Sequence, residues 1–165
     1  MRGQVEVFCG LGKGKTAAAL GICIRAASHG KQAIIVRFLK GKDSAQLEYL
    51  KKLEPEIQFF TFEKQRKCYN DLTESEKEET RNNIRNTINY TNKVIDACQC
   101  DLLVLDEALG LIELGLIEVD ELISFIQKKD DDMQMIFTGH YLPKELEPWV
   151  DNVYSINTEK ETTNE

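Results

Sequence analysis

Seven residues near the start of the chain, Gly10-Leu-Gly-Lys-Gly-Lys-Thr16, constrain its fold more than any others. They follow the apolar run Val5-Glu-Val-Phe-Cys9 and open into Ala17-Ala-Ala-Leu20. The order is strand, glycine-rich turn, helix start. Closely spaced glycines let a backbone turn tightly and take positive φ. The amide N–H groups of such a turn can converge on phosphate oxygens, with the helix dipole adding positive potential. Lys15 then reaches the terminal phosphates as a point charge, and the Thr16 hydroxyl ligates Mg²⁺. The usual pattern, G-x-x-x-x-G-K-[ST], opens on glycine where this chain has Cys9, and it is matched in full at Gly14-Lys15-Thr16. Gly10, Leu11, Gly12, Lys13, Gly14, Lys15 and Thr16 are the expected nucleotide-binding loop.

At 165 residues the chain is expected to form one nucleotide-binding domain over 1–157, followed by a polar tail over 158–165. A net charge of −7 argues against a broad nucleic-acid surface. No apolar run approaches the ~18 residues that a membrane span needs. Met1-Arg-Gly-Gln leads straight into the first strand and leaves no room for a signal peptide, which gives a cytoplasmic expectation. Cys9, Cys23, Cys68, Cys98 and Cys100 are odd in number and form no C-x-x-C pair, so free and mostly buried thiols are expected rather than a zinc site.

Strands are expected over 4–9, 33–39, 56–62, 101–106, 133–137 and 151–156. Ala33-Ile-Ile-Val-Arg-Phe-Leu39 is almost continuously apolar, as in a parallel strand covered on both faces. Helices are expected over 14–29, from an Asp43 or Ser44 cap to about 53, from the Thr73-Glu-Ser-Glu76 capping box onward, over 118–128, and over 143–147. The segment between 107 and 117 reads as a loop. Strands alternating with helices give an α/β fold, a three-layer parallel-sheet nucleotide-binding architecture of the RecA-like type, with ligand at the carboxyl ends of the strands.

A second motif supports the first. Leu102-Leu-Val-Leu-Asp106-Glu107 is an apolar strand ending in two carboxylates. With a phosphate loop upstream, such a pair points to Mg²⁺·nucleotide binding. Thr16, Asp106 and Glu107 are the expected metal ligands, and Glu107 can alternatively take a proton from water. Thr138-Gly139-His140, at the end of a strand, could touch the nucleotide or a second substrate.

These residues resemble, in order, the P-loop type of ATP:corrinoid adenosyltransferase. The loop is similar to that family's G-N-G-K-G-K-T. Arg25-Ala-Ala-Ser-His29-Gly-Lys31 resembles R-A-x-G-H-G-K, and Arg37-Phe-Leu-Lys40-Gly41 resembles Q-F-x-K-G. Leu105-Asp-Glu107, Thr138-Gly-His140 and Val150-Asp-Asn-Val153 resemble L-D-E, T-G-R and A-D-x-V. The departures are Leu11 for Asn, Arg37 for Gln and His140 for Arg, together with the absence of tryptophan from Phe60-Thr-Phe62 and of the family's basic tail.

The resemblance implies a reaction. Co(I) of a corrinoid attacks the 5′ carbon of ATP, and inorganic triphosphate leaves. Co(I) is itself a strong nucleophile, so positioning and charge neutralisation matter more than a general base. Lys15 and Glu107 are the implied catalytic residues, with Lys13, Arg25 and Lys40 as further cations around the triphosphate. Phe60, Phe62 and Tyr69 are candidate corrin contacts. The resemblance also implies a homodimer and a reductase, such as a flavoprotein, that supplies Co(I). Two other classes stay open: a regulatory relative that binds ATP or a corrinoid without transfer, and a P-loop ATPase or kinase.

Overall fold

A computed structural model of the protein describes residues 2–39 and 44–162. Among the described residues, six strands form one sheet: β1 (Val5–Cys9), β2 (Ala33–Arg37), β3 (Ile57–Thr61), β4 (Leu102–Asp106), β5 (Gln134–Thr138) and β6 (Asn152–Ser155). Their order is β3-β2-β4-β5-β1-β6. Every pairing is parallel. Among the described residues, five α-helices accompany them: α1 (Lys15–Ser28), α2 (Ser44–Leu50), α3 (Glu74–Asp96), α4 (Ala108–Glu113) and α5 (Val119–Lys128).

The period of two along each strand sorts side chains onto opposite faces of the sheet. Val5 and Val7, Ile34 and Val36, Leu103 and Leu105, and Met135 and Phe137 enter one core with Ile84, Val94 and Ile95 of α3, Leu109 and Leu111 of α4, and Leu122 and Phe125 of α5. The alternate residues Phe8, Ala33, Ile35, Leu102, Val104 and Ile136 enter a second core with Ala19 and Cys23 of α1. Three layers result, with the sheet in the middle. β2 and β4 are buried along their whole length, which explains their nearly unbroken apolar sequences.

The expected strands are present with ends that differ by one or two residues; β5 extends one residue past expectation, to Thr138. The capping box of α3 is formed as its sequence implies: Glu76 N donates to Thr73 Oγ1 at 3.3 Å and Thr73 N donates to the Glu76 carboxylate at 2.8 Å. That bond holds the Glu76 carboxyl below its ordinary range. The proposed Asp43 cap lies outside the described residues.

Two segments differ from expectation. The stretch read as a loop after β4 contains α4. Six residues with a glycine among them are too short to show helical periodicity, and α4 is held by the burial of Ala108, Leu109 and Leu111. Gly139 makes this possible, since a Cβ there would sit 2.4 Å from Leu109 Cβ. The helix expected over 143–147 is instead a turn leading into a 3₁₀ turn at Glu147–Trp149. Glu147 N still donates to Pro143 O at 3.3 Å, but Pro148 has no N–H to donate to the Lys144 carbonyl, so an α-helix does not propagate.

The five cysteines are free, but only Cys23 and Cys100 are buried, while Cys68 and Cys98 are exposed. Burial, with a smaller contribution from Cys100, pushes the Cys23 thiol up to about 12. Burial, followed by the charge of Asp101, does the same to Cys100. Both stay protonated and inert near neutral pH. An alkylating reagent at mildly alkaline pH is therefore expected to modify Cys68 and Cys98 in the native protein and spare Cys23 and Cys100 until denaturant is added, as read by mass spectrometry.

Candidate functional site

Parallel strands all end at one edge of the sheet, and the chemistry collects there. Thr61 of β3 is in register with Arg37 of β2, and Arg37 with Asp106 of β4. Leu105 pairs with Phe137, which brings Thr138 of β5 beside Asp106. Phe8 of β1 pairs with Thr138, so the loop that leaves β1 lies at the same edge. β5 is therefore interposed between the loop strand and the carboxylate strand.

Asp106 is the centre of this row and is fully buried. Its Oδ1 accepts from Thr16 Oγ1 at 2.9 Å and from Thr138 Oγ1 at 2.7 Å. Its Oδ2 accepts from Arg37 Nε at 2.9 Å. Thr138 Oγ1 also accepts the Glu107 N–H at 2.9 Å. Glu107 sits at φ 62, ψ 16, a left-handed conformation that side chains rarely adopt, and it forms the N-cap of α4. Backbone strain of this kind is characteristic of functional sites.

The loop curls around Lys15. Its ammonium donates to the carbonyls of Gly10 and Gly12, both at 2.7 Å, and the residue is almost buried. A lysine carries three donors. No side chain caps α1 and its first turn holds no acid, so the amides there meet the loop with the positive end of the helix dipole.

The glycines differ in why they are glycine. Gly14 takes φ 104 with open space around it, so its demand is conformational. A Cβ on Gly12 would meet the Ile156 carbonyl at 2.7 Å and Asn157 Cα at 2.9 Å. Gly10 faces the same carbonyl at 2.4 Å and has a positive φ as well. Gly12 N donates to Ile156 O at 2.8 Å, Leu11 N to Asn157 Oδ1 at 3.4 Å, and Gly10 N to His140 O at 2.8 Å. The chain after β6 thus forms a wall against the first half of the loop, a contact with no signal in the sequence.

The structure brings Gly10 through Thr16, Asp106 and the Glu107 backbone together. Leu11 is exposed, and Lys13 reaches outward to Glu161 at 3.5 Å. Arg25 does not join this group. It lies ten residues beyond Lys15 on α1, about 15 Å further along the axis, and is exposed. Lys40 lies outside the described residues. Of the aromatic candidates, Phe60 and Phe62 pack on Tyr90 with ring centroids 4.6 and 5.9 Å away. Tyr69 is tied to α3 by Arg81 at 3.1 Å. His140 Nδ1 is 3.9 Å from Glu113 Oε2, with both side chains about half exposed. The residue that sequence reasoning missed as part of this group is Arg37, noted only as a departure from Gln. An arginine inside an apolar strand was the available signal, because a buried arginine needs an anion.

The donor set is hard and oxygen-based, which suits Mg²⁺. Among the described residues, no three His, Cys, Asp or Glu side chains converge as a metal cage. Thr16 and Asp106 would therefore share the ion with phosphate oxygens, the usual arrangement for this cation.

Strand order, loop and carboxylate define the class as a RecA-like P-loop fold. A KaiC-like protein from the hyperthermophilic archaeon Pyrococcus horikoshii OT3 has the same fold, with a TM-score of 0.62 over 98% of this chain and 75% of that chain at 15% identity. The sequence pattern of the family described as ATP:corrinoid adenosyltransferase BtuR/CobO/CobP matches residues 1–165, and the chain belongs to this family. The corrinoid adenosyltransferase of Escherichia coli K12 is 25% identical over 164 residues, covering 96% of this chain and 79% of that protein. An uncharacterized protein of Nostoc sp. is 26% identical over 167 residues, and this chain spans 41% of its length.

Gly12→Ala is expected to push the 156–157 segment off the loop and destabilise the protein by about 1–3 kcal/mol, the usual range for overpacking. Gly21→Ala, where an added Cβ meets nothing within 4 Å and the site is mid-helix, is expected to be neutral or stabilising. Urea denaturation of the two variants checks the contrast.

Proposed function

We propose that this chain transfers the 5′-deoxyadenosyl group of ATP to Co(I) of a corrinoid and releases inorganic triphosphate. Membership of the adenosyltransferase family supports this reading. The observation that carries it is the meeting of the glycine loop, Lys15, Thr16 and Asp106 at one strand edge.

In the step itself, an electron pair on Co(I) forms the Co–C5′ bond as the C5′–O bond to the α-phosphate breaks. The bond pair leaves with triphosphate, and cobalt becomes formally Co(III). No proton moves, so no general base is needed. The charge that develops on the triphosphate falls to Lys15 and the amides at the start of α1, already oriented before substrate arrives. Mg²⁺, held by Thr16 with Asp106, would add the largest local charge. Glu107, next to Asp106, is a further candidate ligand. Phe62, the more exposed of the Phe60–Phe62–Tyr90 group, offers an apolar face to a corrin. A cytoplasmic location, a homodimer and a flavoprotein reductase complete the reading.

The test is anaerobic. Protein, chemically reduced cobalamin and Mg·ATP are mixed while the visible spectrum is followed, and triphosphate and phosphate are assayed. A light-sensitive alkylcobalamin spectrum with equimolar triphosphate is expected. ATP binding with no spectral change would sink the transferase reading in favour of a regulatory relative, and orthophosphate release would point to an ATPase. Lys15→Ala removes a charge-assisted contact worth about 1.5–3 kcal/mol. It is expected to weaken ATP binding at least tenfold with the fold intact, as measured by calorimetry and circular dichroism.

A further inference from the structure

Nothing in phosphate-loop chemistry calls for a cation at the end of β2, yet Arg37 is there. It is 8% exposed, and Asp106 is 0% exposed. The guanidinium also lies 5.0 Å from the centre of the Phe59 ring, which fixes its plane from another side. Arginine does not lose its proton in a protein, so the positive charge is permanent.

An ionised carboxylate offers about four lone-pair sites. Thr16 and Thr138 take two on Oδ1, and Arg37 takes one on Oδ2. At most one site is left to a metal ion, and it lies on the oxygen bonded to the guanidinium. A divalent cation approaching Asp106 meets an anion whose charge is already balanced. Thr16 differs: it spends its proton on Asp106 and keeps an oxygen that can face an ion.

We infer that Arg37 is a positioning residue that keeps the site from holding a divalent cation on its own, so that the cation enters with the nucleotide. The inference rests on the reading of this loop as a Mg·ATP site. Asp106 then acts mainly through Thr16, by aiming its hydroxyl oxygen, and metal affinity becomes conditional on the triphosphate. A site of this kind discriminates against free metal and couples nucleotide and ion binding.

The experiment is a Mn²⁺ titration of the nucleotide-free protein, read from the electron-spin-resonance signal of free Mn²⁺. It compares the unsubstituted chain with Arg37→Gln and Arg37→Lys. A unit charge about 6 Å from a divalent ion changes its affinity about tenfold even at the dielectric constant of water. Arg37→Gln, which can still donate one bond to Asp106, is expected to bind Mn²⁺ at least tenfold more tightly than the unsubstituted chain. Arg37→Lys keeps the charge and is expected to stay within about threefold of it. Unchanged Mn²⁺ affinity in a folded Arg37→Gln protein overturns the inference, and so does equal tightening in both variants.

A second measurement needs no variant. The melting temperature of the unsubstituted protein is expected to hold steady in millimolar Mg²⁺ and to rise with Mg²⁺ and ATP together. An equal rise with Mg²⁺ alone overturns the inference. Neither readout involves a corrinoid, so failure of the transferase reading leaves both interpretable, whereas a chain that binds no nucleotide fails the reading itself.

Discussion

The carboxylate of Asp106 is the interaction on which the rest of the site depends. It is withdrawn completely from water, and an unpaired charge in that position would be prohibitive. Hydroxyls from the start of α1 and the end of β5 and a guanidinium from the end of β2 satisfy it. Each donor comes from a different element, so the bonds lock loop helix, central strands and strand-end turn into one geometry. Leaving one member of such a group unpaired usually costs several kcal/mol. The site and the fold are thereby stabilised by the same contacts.

The glycine loop is similarly shared between binding and architecture. Its later half, from Gly14 into α1, has the free space and left-handed backbone that phosphate binding requires. Its earlier half is fixed by the chain that follows β6, through Gly12 N to Ile156 O and the close approach at Gly10. β6 itself hangs on the outer side of β1 with Tyr154 stacked on Phe8 at 5.0 Å. Edge strand, following segment and loop make a continuous support, so the loop is braced from outside while its inner face stays oriented.

Such bracing fits the proposed transfer, in which the nucleophile needs no activation. Under that proposal, what remains for the protein is to hold a polyanionic leaving group in fixed orientation with its charge compensated, and preorganised dipoles and cations do this without reorganising. If the inference drawn for Arg37 holds, an ion whose residence depends on the triphosphate would add the last charge only when substrate is present.

Much of this was legible in the chain. Period-two and unbroken apolar runs located the strands, and strand–glycine turn–helix spacing located the loop, because local sterics and alternation act over a few residues. Lys15, Thr16 and Asp106 could be put forward as site candidates because phosphate and metal chemistry admits few residue types, and the structure gathers them at one strand edge. What only the tertiary structure decided was adjacency. Strand order placed β5, and with it Thr138, between loop and carboxylate. Register set Arg37 beside Asp106, and the rise along α1 carried Arg25 away. α4 formed because burial, rather than periodicity, stabilises so short a helix. A sequence fixes which side chains can bond, but pairing across more than sixty positions, as between Arg37 and Asp106, depends on how the strands are laid side by side.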